Sequence, residues 1–527
     1  MSLRRLLFVP ALFSALAALV ACGGSSNPKP TPPPSGGFSI ANLNGTYVFS
    51  ITGNVADNFS DFVAITGAFT ANGSGTITGG ALDMNSTAFS PAVVNNPITG
   101  GSYTVTADGR GRATLTSATP FGTALTIAFV LSSSDHGLVT EFDGNGSGSG
   151  SFDLQTSTAQ LAAGTYVFGL SGISNISATT GFGIPAASAG VVTLDGSGNA
   201  TGSMDYNDNS TPSLFTINAG SAVLSGAPGT ATLMTSSGNL NFDVYPVSAN
   251  HVRLIEVDGA PILSGDLFSQ SSSSFPAGQI VFTMAGVDYP AGGAPLAVGG
   301  FMTSDGSSTI SGGSEDFNDG GVADSSPLTF GGTITPSGGR YVLQLSGFEN
   351  GNNGAVGTFS FAAYPSAGGI QLVEIDGGGV TSGVAFSQSS TALAANEGYG
   401  FGLTAANASG FREDDIAELS LTSSSFSGII DFNDQGSTTY GQAISGTYTP
   451  DSTADGAGVL SSNSFNGVYY TVDASNVLFI ELDSSQLGLG AFQTQNASAK
   501  SNLAASHMAT IRSTRANAKK AWRVTTK

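Results

Sequence analysis

The sequence predicts an all-β protein built from four tandem repeats of about 115 residues, each an eight-stranded antiparallel meander closed as a small barrel. Three observations predict this fold. Four landmarks recur in the same order in every copy, and a repeat of this length indicates tandem domains. Short runs of alternating apolar and polar residues are separated by turn dipeptides such as Asn72-Gly73 and Asp108-Gly109, which indicates hairpins. Residues 38–495 show no apolar period of 3.6, and their short loops cannot supply parallel crossovers.

Each copy begins with a similar strand, at Gly45, Gly164, Gly278 and Gly398, carries an Asp-x-Asn and a Glu-x-Asp element, and ends on a glutamine. The Asp-x-Asn elements are 83–85, 205–207, 316–318 and 431–433, the Glu-x-Asp elements are 141–143, 256–258, 374–376 and 481–483, and the glutamines are Gln155, Gln270, Gln388 and Gln495.

A meander of this length leaves two exposed edges unless its last strand pairs with its first, which favours closure into a barrel. The repeats are similar in size and hairpin order to avidin-like and lipocalin-like barrels, in architecture alone. A β-sandwich or a pair of propeller blades per repeat is the alternative. In the first copy the predicted strands are 46–52, 62–71, 75–82, 101–107, 112–117, 124–131, 138–142 and 148–154.

The amino terminus resembles the signal of a bacterial lipoprotein. Arg4 and Arg5 precede a short apolar stretch, and Leu19-Val20-Ala21-Cys22 resembles a lipobox. The resemblance implies cleavage after residue 21, lipidation of Cys22, and anchorage of the exported protein by several acyl chains. Gly23, in place of an Asp, implies transfer to the outer membrane.

Shifts in composition divide the chain. Prolines interrupt the segment after Cys22, which we expect to be an extended spacer. The predicted divisions are a signal peptide 1–21, a lipidated Cys and Pro/Gly/Ser linker 22–37, β repeats 38–158, 159–273, 274–391 and 392–498, and a basic tail 499–527.

The repeats are acidic and otherwise sparsely charged. Only 10% of all residues are charged, and residues 38–499 hold all 36 acidic residues but only five basic ones. Phosphate polymers would be repelled, so no nucleic-acid partner is expected. The partners that remain are the membrane, through the lipid anchor, and an envelope polymer, another surface or a protein ligand.

The four glutamates of the Glu-x-Asp elements are the candidate ligand-binding residues, because propensity disfavours an acid inside a strand. Their aspartates and the Asp-x-Asn elements are interpreted as turn residues. His136 and His251 are also interpreted as turn residues, since later copies carry Gly369 and Asn476 at that position. The candidates are Glu141, Glu256, Glu374 and Glu481.

No catalytic residue, metal site or cofactor is predicted. The only cysteine is assigned to lipidation, and no histidine recurs across the four copies, so thiol and histidine-based nucleophile chemistry lose their usual residues. Calcium is the alternative at the Asp-x-Asn elements, where Asp205 with Asp208 places oxygens close together, but the first copy has Ser86 instead.

We therefore interpret the chain as a lipid-anchored protein of the outer membrane or cell surface that acts as a multivalent binding, adhesive or structural protein. We expect it not to be an enzyme. The alternative is a carrier of small ligands inside the barrels, and a third interpretation is a carboxylate-dependent hydrolase.

Overall fold

The computed structural model describes residues 37–56, 61–176, 183–224, 228–289, 293–324, 326–349, 356–394, 397–407, 411–451 and 455–497. These residues are all-β except for a short 3-10 helix at Ile40–Asn42. The proposed signal peptide, Cys22 and the basic tail lie outside the described residues.

The described strands form four closed barrels, numbered in chain order. Barrel 1 contains β1 Asn44–Val55, β2 Phe62–Asn72, β3 Thr76–Ser86, β4 Val93–Ile98, β5 Gly100–Val105, β6 Arg110–Thr119, β7 Gly122–Leu131, β8 His136–Glu141 and β9 Gly146–Leu154. Barrel 2 contains β10 Gly164–Ile176, β11 Gly183–Leu194, β12 Ala200–Asp208, β13 Thr211–Val223, β14 Gly229–Thr235, β15 Gly238–Ser248, β16 His251–Glu256 and β17 Ile262–Ser269. Barrel 3 contains β18 Ala277–Asp288, β19 Ala294–Asp305, β20 Thr309–Asp319, β21 Val322–Ala323, β22 Leu328–Ser337, β23 Arg340–Glu349, β24 Val356–Ser366, β25 Gly369–Glu374 and β26 Gly379–Ser387. Barrel 4 contains β27 Gly398–Asn407, β28 Arg412–Leu421, β29 Ser425–Asp434, β30 Ser437–Pro450, β31 Ala457–Ser462, β32 Asn466–Thr471, β33 Asn476–Glu481 and β34 Gln486–Thr494.

Each barrel is an antiparallel meander whose first strand also pairs with its last, so the predicted eight-stranded closed barrel is confirmed. The sandwich and propeller alternatives are wrong. In barrels 1 and 3 the fourth strand is split into two pieces. In barrel 1 both pieces, β4 and β5, pair with β3, and in barrel 3 both pieces, β21 and β22, pair with β20.

The sequence missed β4, because its residues Asn95, Asn96 and Pro97 have the composition of a turn. Asn95 has a positive φ of 47°, and its N–H donates to the Asp83 carboxylate at a bulge opposite β3. The strand therefore continues past this local irregularity, although its residue composition alone suggests that the strand ends there.

Strands at the two ends of each meander are buried on both faces. In β1, Phe49 and Ile51 face the core of barrel 1, whereas Val48 packs against Tyr245 of barrel 2. Such strands lose the alternation of apolar and polar residues that marks a sheet with one solvated face.

The barrels form a closed ring in which each barrel packs against the next and barrel 4 packs against barrel 1; we call it the barrel ring. An apolar cluster lies at each of its four junctions. The clusters include Val48 with Ile255 at junction 1–2, Val167 with Val373 at junction 2–3, Val281 with Ile480 at junction 3–4, and Leu138 with Ile416 at junction 4–1.

The segment after each barrel contacts the next barrel in a similar way. Thr156 N–H donates to the Val247 carbonyl of barrel 2 at 2.7 Å. After barrel 4 no covalent linker leads to barrel 1, yet Asn496 N–H donates to the Ser132 carbonyl of barrel 1 at 2.7 Å. The Asn42 side chain also donates to the Ala497 carbonyl at 3.2 Å. Both ends of the barrel-bearing region therefore meet at junction 4–1.

This arrangement predicts that the barrel region tolerates circular permutation. A permutant of residues 38–497 that joins Ala497 to Phe38 through a short Gly/Ser linker and opens the chain between Thr158 and Ala159 should fold, because both opened residues are exposed. Its melting temperature, measured by circular dichroism, should stay within a few degrees of that of unpermuted 38–497.

The control permutant opens the chain between Ile255 and Glu256, which are fully buried in β16, and should not fold. Failure of the first permutant, or equal stability of the two, would contradict the closed ring.

Candidate functional site

The four candidate glutamates lie at the ends of equivalent short strands and are buried. Their side chains are 4% exposed for Glu141 and 0% exposed for Glu256, Glu374 and Glu481. Each shares the inward face of its strand with a core residue two positions earlier, so each carboxyl group caps the core of its own barrel. Those core residues are Val139, Leu254, Leu372 and Phe479.

Burial raises the pKa of all four carboxyl groups, because loss of hydration penalises the charged form. The pKa of Glu256 rises to about 9, and those of Glu141, Glu374 and Glu481 rise well above the ordinary value. Neighbouring aspartates add repulsion, as Asp376 does for Glu374. Burial therefore favours the protonated form of these glutamates, and their ligand-binding role stays a prediction.

The aspartate of each Glu-x-Asp element accepts a hydrogen bond from a neighbouring strand, and two of the four also accept one from the turn that follows them. The Asp376 carboxylate accepts the N–H groups of Ser360 at 2.6 Å and Gly378 at 2.9 Å. Asp143 accepts those of Thr126 at 2.9 Å and Asn145 at 3.0 Å. These contacts are typical of turn residues.

The asparagine of each Asp-x-Asn element reaches across a junction to the Glu-x-Asp region of the next barrel. Its side-chain amide donates to main-chain carbonyls there, including that of the glutamate itself. All four asparagines are buried, so these are partners for groups that water does not reach. The bonds are Asn85 to Glu256 O at 2.8 Å, Asn207 to Glu374 O at 2.9 Å, Asn318 to Glu481 O at 3.2 Å and Asn433 to Glu141 O at 2.7 Å.

The aspartate of each Asp-x-Asn element faces the same junction and meets a tyrosine or an arginine of the next barrel. Asp205 accepts hydrogen bonds from Tyr364 Oη and Arg340 Nε, both at 2.5 Å. Asp316 accepts one from the hydroxyl of Tyr470. At junction 4–1, Asp431 is paired instead with Arg110. At junction 1–2, burial raises the pKa of the Tyr245 hydroxyl, and the nearby Asp83 carboxyl adds to that rise.

The terminal glutamine of each repeat makes a third equivalent contact. Its side-chain amide donates to a carbonyl of the next barrel, one residue after the position that holds the junction tyrosine in barrels 2, 3 and 4. The bonds are Gln155 to Pro246 O at 2.7 Å, Gln270 to Pro365 O at 3.0 Å, Gln388 to Thr471 O at 2.7 Å and Gln495 to Leu131 O at 2.8 Å.

These three landmarks in the sequence thus meet at the junctions of the barrel ring, and the opening strands also contribute there through Val48, Val167 and Val281. The turn interpretation of the Asp-x-Asn elements missed this contact, because it treated each copy by itself. A signal was present, since the asparagine and the Glu-x-Asp element occur together in every copy, which is expected if each copy binds its neighbour.

All five arginines between residues 37 and 497 lie at junctions. Arg253 of barrel 2 donates to the carboxylate of Asp153 and to the Ser151 carbonyl of barrel 1. Arg412 of barrel 4 pairs with Asp414 at 2.7 Å and donates to Ser149 of barrel 1 at 3.0 Å. The remaining three are Arg110, Arg112 and Arg340.

Arg112 is held between two aromatic rings at junction 4–1. Its guanidinium carbon lies 4.5 Å from the centre of the Phe142 ring and 3.9 Å from that of Tyr440. One ring belongs to barrel 1 and the other to barrel 4, so this cation–π contact joins the two barrels that lack a covalent link.

The structure corrects the interpretation of the two histidines. His136 and His251 begin β8 and β16, are buried, and have ordinary negative φ; only Gly369 at this position has a positive one. His136 Nδ1 lies 2.7 Å from Asp153, and His251 Nε2 lies 2.8 Å from Asp266. Burial beside a carboxylate, rather than tolerance of a turn, explains them.

In the described part of the chain, no group of three or more His, Cys, Asp or Glu side chains is placed to hold a metal ion. None of its helices has the length and apolar character needed to cross a membrane.

Comparison with known proteins gives no family. No family model matches the chain, and no curated protein does. Among solved structures it is similar to intact Ap-TbpB with N and C lobes, at 12% identity over 68% of this chain and 84% of that one, with a TM-score of 0.17. A mutant of transferrin-binding protein B from Haemophilus parasuis is 10% identical over 70% and 84%, with a TM-score of 0.18. The P pilus usher pore PapC is 7% identical over 86% and 99%, with a TM-score of 0.12. We draw no functional inference from scores this low.

The buried glutamates predict that stability falls as pH rises. Above about pH 4.5 an unfolded glutamate releases its proton, whereas buried Glu374 keeps it, so the free energy of unfolding decreases until the native group ionises. In Glu374→Gln the amide replaces the unpartnered Oε1, and the other oxygen keeps its bonds to Thr381. At pH 8 this variant should exceed the wild type by at least ~1 kcal/mol, and at pH 4.5 the two should agree.

Urea denaturation at both pH values measures this difference. Glu397→Gln is the matched control, because Glu397 is exposed, and it should change neither value. An E374Q protein with the same pH dependence as the wild type would show that Glu374 is charged in the native state.

The buried ion pair between Arg110 and Asp431 is expected to stabilise junction 4–1. Both side chains are buried, so Arg110→Ala leaves an uncompensated carboxylate and should cost about 3 kcal/mol in denaturant unfolding. The double variant R110A/D431N should recover part of that loss, because a neutral amide remains. A loss below about 1 kcal/mol in R110A would show that the pair does not hold the junction.

Proposed function

We propose that the protein is a lipid-anchored component of the outer envelope in which the barrel ring is one rigid body that acts as a binding or structural element. Lipidation at Cys22 anchors it, and the proline-rich segment separates it from the membrane. The single observation that supports a rigid body is the repeated contact of the Asp-x-Asn elements with the next barrel at all four junctions.

The faces that point away from the junctions suit contact with an aqueous exterior. Strands β5 and β6 expose Ser102, Thr104 and Thr116, and β13 exposes Thr216 and Asn218. Uncharged hydroxyl and amide side chains provide many hydrogen-bonding groups for a polymer or protein surface, and a rigid ring presents them in four related orientations. Several weak contacts of this kind combine through effective concentration.

Anchorage is tested at Cys22. Cys22→Ala should move the protein from the membrane fraction to the soluble fraction, because no acyl chain can be attached. Wild-type protein on intact cells should be cleaved by added protease and bound by antibody. Continued sedimentation of C22A with membranes, or wild-type protein protected on intact cells, would contradict an anchored, displayed protein.

The proposal that the barrel ring binds as one rigid body is tested by measuring how many cells that display the protein attach to glass. If binding requires the complete ring, deletion of residues 392–498 should abolish attachment in one step, since it removes two of the four junctions. R110A should weaken attachment without lowering the amount of displayed protein, which antibody binding on intact cells measures. If deletion of residues 392–498 removed only a quarter of the attachment, the barrels would act independently. Full attachment of cells that carry the C22A variant would overturn the proposal.

A further inference from the structure

The core of barrel 2 lacks an aromatic cluster that fills barrel 1. In barrel 1, Phe152 lies 5.9 Å from Phe69 and 5.5 Å from Phe129, measured between ring centres. All three rings are buried in the core. They belong to strands β2, β7 and β9.

Strand register identifies the positions in barrel 2 that correspond to these three rings. Phe69 pairs with the tyrosine of the opening strand, Phe129 with the residue two before the buried glutamate, and Phe152 with the phenylalanine of the opening strand. The residues of barrel 2 with those same partners are Val192, Val244 and Leu267. Barrel 2 therefore has two valines and a leucine in place of three phenylalanines.

A cavity lies in the core of barrel 2, beside these smaller side chains. It contains about 480 Å³ of empty space, including the part open to solvent, and Val192, Val244 and Leu267 all line it. Among the described residues of the lining, Ser221 is the only polar one. No charged side chain lines it, so a ligand could not be held there by an ion pair.

Barrel 4 offers the contrast. A smaller space of about 270 Å³ lies in its core, and Tyr399, Tyr448 and Tyr469 contribute to the lining. Phe492 of barrel 4 pairs with Phe401, at the position that Leu267 holds in barrel 2. Barrel 4 thus has an aromatic ring where barrel 2 has a leucine, and the space in its core is the smaller of the two.

We infer that barrel 2 is a binding site for a small, uncharged, apolar molecule, either a single aromatic ring or a short hydrocarbon. Water in an apolar cavity finds too few hydrogen-bond partners, so such cavities stay dry and accept apolar guests. A guest that replaces the missing rings would recover the dispersion contacts that the lining lacks. The inference is independent of the proposed envelope function.

Toluene is the probe that tests the site. The protein is the full chain with Cys22→Ala, which removes acyl chains as competing guests, and its Leu and Val methyl groups are isotope-labelled for NMR. Millimolar toluene should shift the methyl resonances of Val192, Val244 and Leu267 and leave those of Leu421 and Leu460 in barrel 4 unchanged. The melting temperature should rise with toluene concentration, because the guest binds only the folded state.

Leu267→Phe and Val244→Phe supply the matched variants, since each introduces the residue that barrel 1 carries at that position. Each should weaken toluene binding at least tenfold, while the remaining methyl spectrum stays that of the folded protein. The reciprocal variant Phe152→Leu should create a new, weaker site in barrel 1.

If one filling variant fails to fold, the other decides. If neither folds, the wild-type titration decides alone. Absence of shifts in barrel 2, equal shifts in all four barrels, or undiminished binding by a folded L267F or V244F protein would overturn the inference.

Discussion

The structure depends on one buried contact, the side-chain amide of an asparagine donating to the main chain at the end of a neighbouring barrel's glutamate strand. The glutamate strand and the last strand that follows it are buried on both faces, so polar groups at their ends cannot rely on water. Asn433 supplies partners to the carbonyls of Glu141 and Gly146, and Asn207 does so for Glu374 and Gly379. The apolar clusters provide area at each junction, but they are non-directional. The asparagine sets the register, since it fits only where a buried carbonyl lacks a partner.

The same burial explains how so acidic a chain can pack against itself. Where an arginine is present at a junction, the aspartate it meets is paired, as Asp205 is with Arg340. The arginines of the described residues lie at junctions 1–2, 2–3 and 4–1. Junction 3–4 relies on Tyr470 and Asp316, and burial raises the pKa of that carboxyl to about 7. There, as at the four inward glutamates, burial favours the protonated, uncharged form of the carboxyl group.

Much of the fold could be predicted from the sequence, because period-two patterning, turn dipeptides and the fourfold recurrence of landmarks are local signals. They correctly predicted four antiparallel closed barrels. The barrel ring could not be predicted, because it depends on which outward faces meet, and a strand buried on both faces has no polar side to mark it. Val48 illustrates this, since nothing in its neighbours shows that it packs against another barrel. The histidines were misinterpreted for a similar reason, because alignment with Gly369 and Asn476 shows what a position tolerates and not which carboxylate lies beside it. The cavity of barrel 2 required strand register, which aligns Leu267 with Phe152 across copies that share little else.

Closure of the ring also explains why the first and last copies carry the same landmarks as the middle two. In an open array of repeats, each terminal repeat has one face without a neighbour and needs a polar cap there. Here Glu141 of the first copy and Asn433 of the last would each lie on such a face, yet both are buried, because they bind each other's barrels. In a closed ring the first and last copies have two neighbours, as the middle copies do, and need no cap. The same interface residues therefore serve all four copies. The interiors are under no such constraint, since each core packs only against itself. Barrel 2 can therefore have Val192, Val244 and Leu267 where barrel 1 has phenylalanines and still make the same junction contacts.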